Sequence, residues 1–334
     1  MGVGMKISDR IGRRMKLHDL HVLMSVVQAG SMGKAASFLN TTQSAISRSI
    51  AELEHAVGVR LLDRSRQGVE PTDYGRALLD GGAAVFDDLR QAVKNIEFLA
   101  DPATGHVTIC GSESTSAALL PAVFGRLRRR HPGLSMHVVP AISVAQQIKE
   151  LRERKADLAI GRLPSSVDTD IDAELLYHER LVVVAGPRSK WLRKRKIALP
   201  DLANESWLLP PPETLVASLV ADGFRSHDME FPPKGAATGA IHLLFALLAS
   251  GPFVLAMSGS LLQLGTHLPP LKILPVDFPS PPWPVGIMTL KNRTRSPVTR
   301  LFIECLREVV KPLAARHPSV GRARNVSVRN LRTT

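Results

Sequence analysis

Gly30-Ser31-Met32-Gly33-Lys34-Ala35-Ala36-Ser37-Phe38-Leu39-Asn40-Thr41-Thr42-Gln43-Ser44-Ala45-Ile46-Ser47-Arg48 is the stretch whose reading decides the fold of this 334-residue chain. Gly30 closes one helical period, and Ser31 is placed to cap the next. Ala35, Ala36 and Leu39 make the inner face of a short second helix, where two adjacent small residues suit a tight helix–helix crossing. Asn40-Thr41 breaks it. Thr42 caps a third helix in which Ala45, Ile46, Ile50, Leu53 and Val57 are expected to point inward until Gly58 ends it. Upstream, Leu20, Leu23 and Val27 share one face of a first helix starting at Leu17. Downstream, residues 59–62 and 68–70 flank a turn holding Arg64, Ser65, Arg66 and Gln67, the size of a two-stranded wing.

The polar residues of the third helix crowd its first turn and outward face: Thr42, Gln43, Ser44, Ser47 and Arg48. If such a helix enters a major groove, its N-terminal turn faces base edges. Gln bonds adenine bidentately, Arg bonds guanine or phosphate, and Ser or Thr serves either kind of acceptor. Arg64 and Arg66 would then hold backbone phosphates and set register. An ordinary three-helix bundle with a solvated polar face fits the periodicity equally well, so both readings stand at this point.

Beyond Pro71-Thr72-Asp73 a long helix is expected to run to about Ala100. Leu78, Gly82, Val85, Leu89, Ala92, Ile96 and Leu99 recur in alternating steps of four and three, a heptad seam that calls for a partner helix. Gly81-Gly82 interrupts it at about 1 kcal/mol per glycine relative to alanine. Residues 101–105 read as a linker. Past them the texture becomes strand, helix, strand, helix over residues 107–160, which implies parallel strands joined by helices. An extended run over residues 175–185 follows, then Pro-rich breaks, and a last helix over residues 298–314. The division expected is a disordered extension at 1–14, a three-helix and hairpin domain at 15–72, a linker helix at 73–104, an α/β domain at 105–316 and a disordered basic tail at 317–334.

Composition restricts function more than it assigns it. The net charge of +13 is unevenly placed: residues 1–104 are balanced to +1, and the remaining +12 lies beyond, in residues 126–130, 188–196 and the tail. Bulk charge therefore contributes little to a nucleic-acid argument, which rests on pattern. The basic run 188–196, with Trp191 inside it, reads as a solvated loop. Early Lys and Arg have no apolar run behind them, so neither a secretory signal nor a membrane span is expected and a cytoplasmic location is. Cys110 and Cys305 are too few and too far apart for a disulfide framework or a Cys-type zinc site. The histidines form no ligand pair, and phosphate loops, HExxH and nucleophile elbows are absent. No cofactor, no metal and no catalysis are expected. Cys110-Gly111-Ser112-Glu113-Ser114-Thr115, a strand end running into a helix start, has the form of an anion cradle, though simple helix capping accounts for the same hydroxyls. Glu113 inside it leaves a sugar or an amine-bearing ligand open.

Residues 17–75 resemble the N-terminal domain of LysR-type transcriptional regulators. The matching positions are Gly30, Ser31, Met32, Ala35, Ala36, Leu39, the run Thr42 to Arg48, Ile50, Leu53, Glu54, Gly58, Val59, Arg60, Leu61, Leu62, Arg64, Thr72 and Gly75. One departs: Ser44 stands where the family usually has proline, which loosens the helix start and gains a hydroxyl. The resemblance runs to about Ala315. It implies that the domain at 15–72 binds DNA and that the domain at 105–316 is regulatory. It also implies an α/β architecture: an N-terminal winged helix-turn-helix, a long linker helix, and a C-terminal two-lobed, periplasmic-binding-protein-like (type 2) effector domain. Residues 156–161 resemble the family's short strand, and 177–187 its crossover into the second lobe. DNA contacts are implied at Ser31, Thr42, Gln43, Ser44, Ser47, Arg48, Arg64 and Arg66. Effector contacts are implied at Ser112, Ser114 and Thr115, and at Ser250 and Gly251 in a loop before a strand facing the cleft. Dimerisation is implied through Leu78, Val85, Leu89, Ala92, Ile96 and Leu99, with assembly to a homotetramer. Double-stranded DNA, RNA polymerase and a small-molecule effector are the implied partners. Residues 207–212 and 282–292 are similar to a branch that includes regulators of sugar-binding-protein and aromatic-catabolism genes, so the effector is expected to be a sugar or an organic acid. A solute-binding protein or carrier on the same two-lobed fold is the competing class, and the helix-turn-helix weighs against it.

Overall fold

Three helices, a hairpin and most of a long fourth helix make the N-terminal unit of the computed structural model, which describes residues 15–65, 68–230, 235–264 and 271–315. The expectations for residues 1–14 and 317–334, and for Arg66 and Gln67 in the wing, fall outside these. The chain divides into two compact units, Met1–Val93 and Lys94–Thr334.

In the first unit α1 (Leu17–Ala29) ends at Gly30, α2 (Met32–Phe38) starts under Ser31, and α3 (Gln43–Val57) runs from Thr42 to Gly58. Gly30 and Gly58 hold φ of 70° and 80°, the left-handed conformation that costs glycine least. Leu20, Leu23, Val26, Ala35, Ile46, Ile50 and Leu53 close an apolar core between the helices. Ala45 is exposed and not inward. The buried stripe of α3 follows Ile46, Ile50, Leu53 and Val57, and one residue back from Ile46 lies about 100° away round the helix.

The wing consists of β1 (Leu62–Ser65) and β2 (Gly68–Pro71), antiparallel with Arg64 opposite Val69. Its first arm begins later than residues 59–62 because that stretch is already bonded elsewhere. Glu54 Oε1 accepts from the Leu61 and Leu62 amides at 2.8 and 3.3 Å, and Thr72 takes the carbonyls of Arg60 and Leu61. Next comes α4 (Asp73–Ala100). Gly82 is no defect in it: a Cβ there would sit 2.9 Å from Leu20 Cδ1, so glycine lets α1 approach. Leu78 is half-buried on the core of its own unit, whereas Val85, Leu89, Ala92, Ile96 and Leu99 are exposed.

The second unit opens β3 (Thr104–Gly111), α5 (Glu113–Arg130), β4 (Gly133–Pro140), α6 (Val144–Arg152), β5 (Leu158–Arg162). It continues with β6 (Ile171–Glu179), β7 (Leu181–Ala185), β8 (Ser206–Leu208), α7 (Leu215–Arg225), α8 (Ile241–Ser250), β9 (Phe253–Ser258) and α9 (Gly259–Leu264). It ends with β10 (Lys272–Ile273), β11 (Trp283–Leu290) and α10 (Pro297–Ala315). Two sheets result, of order β4-β3-β5-β11-β6 and β10-β7-β9-β8. β3 is parallel to β4 and β5, as the alternation requires, and β8 is parallel to β9. Beyond that alternating stretch β11 is antiparallel to β5 and β6, and β7 to β9 and β10. The extended run 175–185 leads from one sheet to the other. It is two strands of different sheets, with Arg180 alone between them, so no crossover helix intervenes. Each sheet thus founds a lobe. Ile109, Leu119, Val123, Phe302 and Leu306 fill the first, and Trp207 meets Phe224 edge-to-face at 5.3 Å in the second. Where the chain passes between lobes, buried Glu179 accepts hydrogen bonds from the Arg180 and Ser260 amides and from the Ser260 hydroxyl.

Candidate DNA-reading helix and ligand cavity

At the head of α3, Thr42 Oγ1 accepts from the Ala45 amide at 3.2 Å and lies 3.0 Å from Ser44 Oγ. Gln43, Ser44 and Arg48 are exposed and Ser47 is half-buried, while the opposite face is core. The unmet amides of this first turn carry the positive end of the helix dipole toward solvent. Gln43 Oε1 reaches across to α2, 3.6 Å from where a Cβ on Gly33 would be. Ser31 Oγ accepts from the Lys34 amide, so its hydroxyl is held by the cap of α2. Arg64 is exposed on β1. Ser44, read as offering a free hydroxyl, shares it with Thr42. Glu54 matched the family string without a role; its position, seven residues before the Leu61 amide it accepts, ties α3 to the wing.

A cavity of about 430 Å³ lies in the second unit, lined by residues of both lobes. Parallel strands joined by helices put the carboxyl ends of strands and the amino ends of helices along one edge, and ligand sites form there. Ser112 follows β3 and caps α5, accepting from the Thr115 amide and donating to Thr115 Oγ1 at 2.9 Å. Ser143 follows β4 and caps α6 through the Gln146 amide. Thr214 caps α7 through the Ala217 amide. α8 has no side-chain cap of its own. Its Ile241 amide donates to Glu113 Oε1 at 3.0 Å, a contact between lobes across 128 residues of chain. All four sites line the cavity, together with Gln147, Arg162 at the end of β5, and the apolar Leu244, Phe245, Met257 and Trp283.

Ser112, Ser114 and Thr115 line this cavity; Ser250 and Gly251 do not. Ser250 is exposed at the far end of α8, where its carbonyl accepts from Arg188 Nη1 at 2.7 Å. Gly251 packs on the Phe253 ring. They stand at the amino end of β9, whereas the cavity meets that strand at its carboxyl end, residues 255–258. Gln147, Arg162, Thr214 and Thr238 carried no motif, and only the strand–helix order marks the edge where they meet.

Cys110 is buried, and its thiol is pushed up to about 12 by that burial, with the Glu150 carboxylate adding to it. Burial also raises the Cys305 thiol, against the lowering pull of Arg126, Arg130 and Arg129. Both thiols therefore stay protonated and poorly nucleophilic at neutral pH. Among the described residues no His, Cys, Asp and Glu cluster could hold a metal ion, and no helix is long and apolar enough to cross a membrane.

A capped helix presenting Gln43 and Arg48 on its exposed side, in a chain that also holds a cavity between two α/β lobes, is the combination found in DNA-binding regulators with a ligand-binding domain. The profile of the bacterial regulatory helix-turn-helix protein, lysR family, matches residues 17–76, and that of the LysR substrate binding domain matches residues 100–311. The chain belongs to the LysR family of transcription regulators, with a DNA-binding helix-turn-helix and an effector-binding domain. The regulator GbpR of Azospirillum brasilense is 29% identical over 297 residues, 88% of this chain and 86% of that protein. A full-length OxyR variant of Pseudomonas aeruginosa superposes with a TM-score of 0.61 at 20% identity, over 90% of this chain and 97% of that one. Full-length CbnR in complex with its target DNA gives 0.58 at 19%, over 88% and 100%. Both share the fold.

Proposed function

We propose that α3 reads the major groove with Gln43, Ser47 and Arg48, while Ser31, Thr42 and Ser44 reach nearby acceptors and Arg64 and Arg66 hold phosphates. The observation that carries this is the exposed polar first turn of α3 over a fully apolar inner face. The exposed positions Val85, Leu89, Ala92, Ile96 and Leu99 of α4 pair with a second copy, and dimers assemble into a tetramer on DNA. The cavity takes a small-molecule effector, a sugar or an organic acid, with Ser112, Ser114 and Thr115 in contact. Its differential affinity for the lobe arrangements shifts the assembly, the DNA bend and the contact with RNA polymerase. The chain acts in the cytoplasm and catalyses nothing.

Gel shifts on DNA from upstream of its own gene test the first half. Gln43→Ala and Arg48→Ala should each cost about 1–3 kcal/mol and relax base preference. An equal loss on every sequence makes them phosphate contacts instead, and binding no better than to random duplex, with the salt slope of non-specific contact, removes sequence reading altogether. For the second half, a metabolite library is melted against wild type and Ser114→Trp, which puts a bulky side chain on the cavity lining. A compound that raises the midpoint of wild type alone supports the cavity as effector site; equal shifts in both remove it.

A further inference from the structure

Six cations fall within nine residues of the second lobe: Arg188, Lys190, Arg193, Lys194, Arg195 and Lys196. The sequence alone reads this run as a solvated loop, but in the structure its backbone is held along its length. Ser189 is buried and caps the 3-10 turn Lys190–Arg193 through the Trp191 amide. The Trp191 ring packs on the core, with Lys190 Nζ 5.3 Å from its centre. Lys272 on β10 donates to the Leu192 carbonyl. Ile197, 2% exposed, donates its amide to the Pro275 carbonyl at 3.2 Å. Arg193, Lys194, Arg195 and Lys196 lie between these anchors, and all four are exposed.

The neighbouring basic residues have an account within the fold. Arg188 donates to the Ser250 carbonyl, and Lys190 pairs with Glu205 at 2.7 Å. Arg128, Arg129 and Arg130 stand in the last turn of α5, where the helix dipole favours cations. Arg128 lies over the Phe124 ring, and Arg126, Arg129 and Arg130 share a groove with Glu304 and Glu308. None of residues 193–196 has an ion pair or a side-chain hydrogen bond among the described residues. Their mutual repulsion is offset by nothing in the lobe.

The helix-turn-helix unit is short of such charge. Residues 15–93 hold eight Lys and Arg against nine Asp and Glu, although the chain binds DNA and phosphate neutralisation drives such binding. Residues 193–196 span about 10 Å at full extension. Duplex DNA carries about six phosphate charges in that length of axis, more than one for each cation. An acidic protein surface would have to crowd four carboxylates into the same length against their own repulsion.

We infer that the loop at 193–196 is a further DNA contact of this chain, taking the phosphate backbone of a duplex without regard to sequence.

Fluorescence anisotropy of the full chain over a series of salt concentrations tests it, on a labelled random duplex and on DNA from upstream of its own gene. Arg193→Gln, Lys194→Gln, Arg195→Gln and Lys196→Gln combined should flatten the plot of log affinity against log salt. The expected loss is about 0.9 in slope for each phosphate no longer neutralised, on the order of three to four per chain in contact. Affinity in low salt should fall at least about tenfold on both duplexes, with the ratio between them unchanged. Gln at Arg126, Arg128, Arg129 and Arg130 removes the same charge and should lower the slope by less than one contact, about 0.9. If the first variant melts early by tryptophan fluorescence, Arg195→Gln with Lys196→Gln replaces it and should give half the loss. An unchanged slope overturns the contact, and an equal loss from the α5 variant overturns its assignment to this loop. A changed ratio between the duplexes overturns its indifference to sequence. An unchanged slope with transcription by purified RNA polymerase lost overturns it in favour of an acidic protein surface.

Discussion

Glu54→Ala probes how the reading helix holds the wing. One carboxylate oxygen on α3 accepts both the Leu61 and the Leu62 amide, and these residues are 1% and 3% exposed. Removing the acceptor strands two buried N–H groups, each worth about 1–3 kcal/mol when unmet. Glu54 itself is half-buried, so water can reach part of the gap, and the total should fall near 2–3 kcal/mol. Glu54→Gln keeps a neutral oxygen and should lose about 1 kcal/mol, since an ionised acceptor bonds roughly twice as strongly. The three tryptophans, Trp191, Trp207 and Trp283, all lie in the second unit, so their fluorescence is blind to this change. Hydrogen exchange followed by mass spectrometry is the suitable assay. Peptides over residues 59–65 should exchange about tenfold faster or more in the alanine variant, less in the glutamine variant, with the fluorescence transition unmoved. Because Arg64 stands two residues beyond Leu62, DNA affinity should fall with them. Unchanged exchange at Leu61, or identical behaviour of the two variants, would refute the bracing.

Two further changes test local readings. Ser44→Pro restores the residue the family usually has, at the second position of α3, where the amide needs no intrahelical partner. It should stabilise by about 0.5 kcal/mol through the unfolded chain, offset by the lost contact with Thr42; a destabilisation above about 1 kcal/mol in circular-dichroism melts contradicts this. Burial holds the Glu179 carboxyl above its ordinary value, against the lowering effect of hydrogen bonds from Ser260 and the Arg180 and Gly259 amides. The folded state therefore keeps this proton better than the unfolded chain, and its contribution to stability is lost as pH rises from the ordinary glutamate value through the raised one. Glu179→Gln should flatten that slope in urea midpoints taken from about pH 4 upward, and an unaltered slope assigns the pH dependence elsewhere.

The helix-turn-helix was legible because its determinants are local. Caps at Ser31 and Thr42, glycines at Gly30 and Gly58, and a 3.6-residue stripe act within a few residues of each other. Ala45 escaped because one position round a helix separates core from solvent and composition does not mark it. The wing was shifted because a side chain, Glu54, competes with the strand ladder for backbone amides. The cavity was half-legible. Ser112, Ser114 and Thr115 follow a strand whose end is visible in sequence, whereas Gln147 and Arg162 converge only once β3, β4 and β5 are side by side, and Ile241 comes from the other lobe. Ser250 and Gly251 lie off the cavity because a strand has two ends and the pattern does not say which is lined.

The single residue between β6 and β7 governs what binding can do mechanically. One sheet hands the chain to the other through Arg180, whose amide is already held by Glu179. A rotation of one lobe on the other is therefore absorbed by few backbone torsions here and by the return path between β10 and β11. So short a link passes angle faithfully and leaves little slack in which a twist could be dissipated. On the proposal that the cavity holds the effector, inserting glycines after Glu179 should leave ligand affinity in calorimetry unchanged while reducing the ligand's effect on DNA affinity in gel shifts.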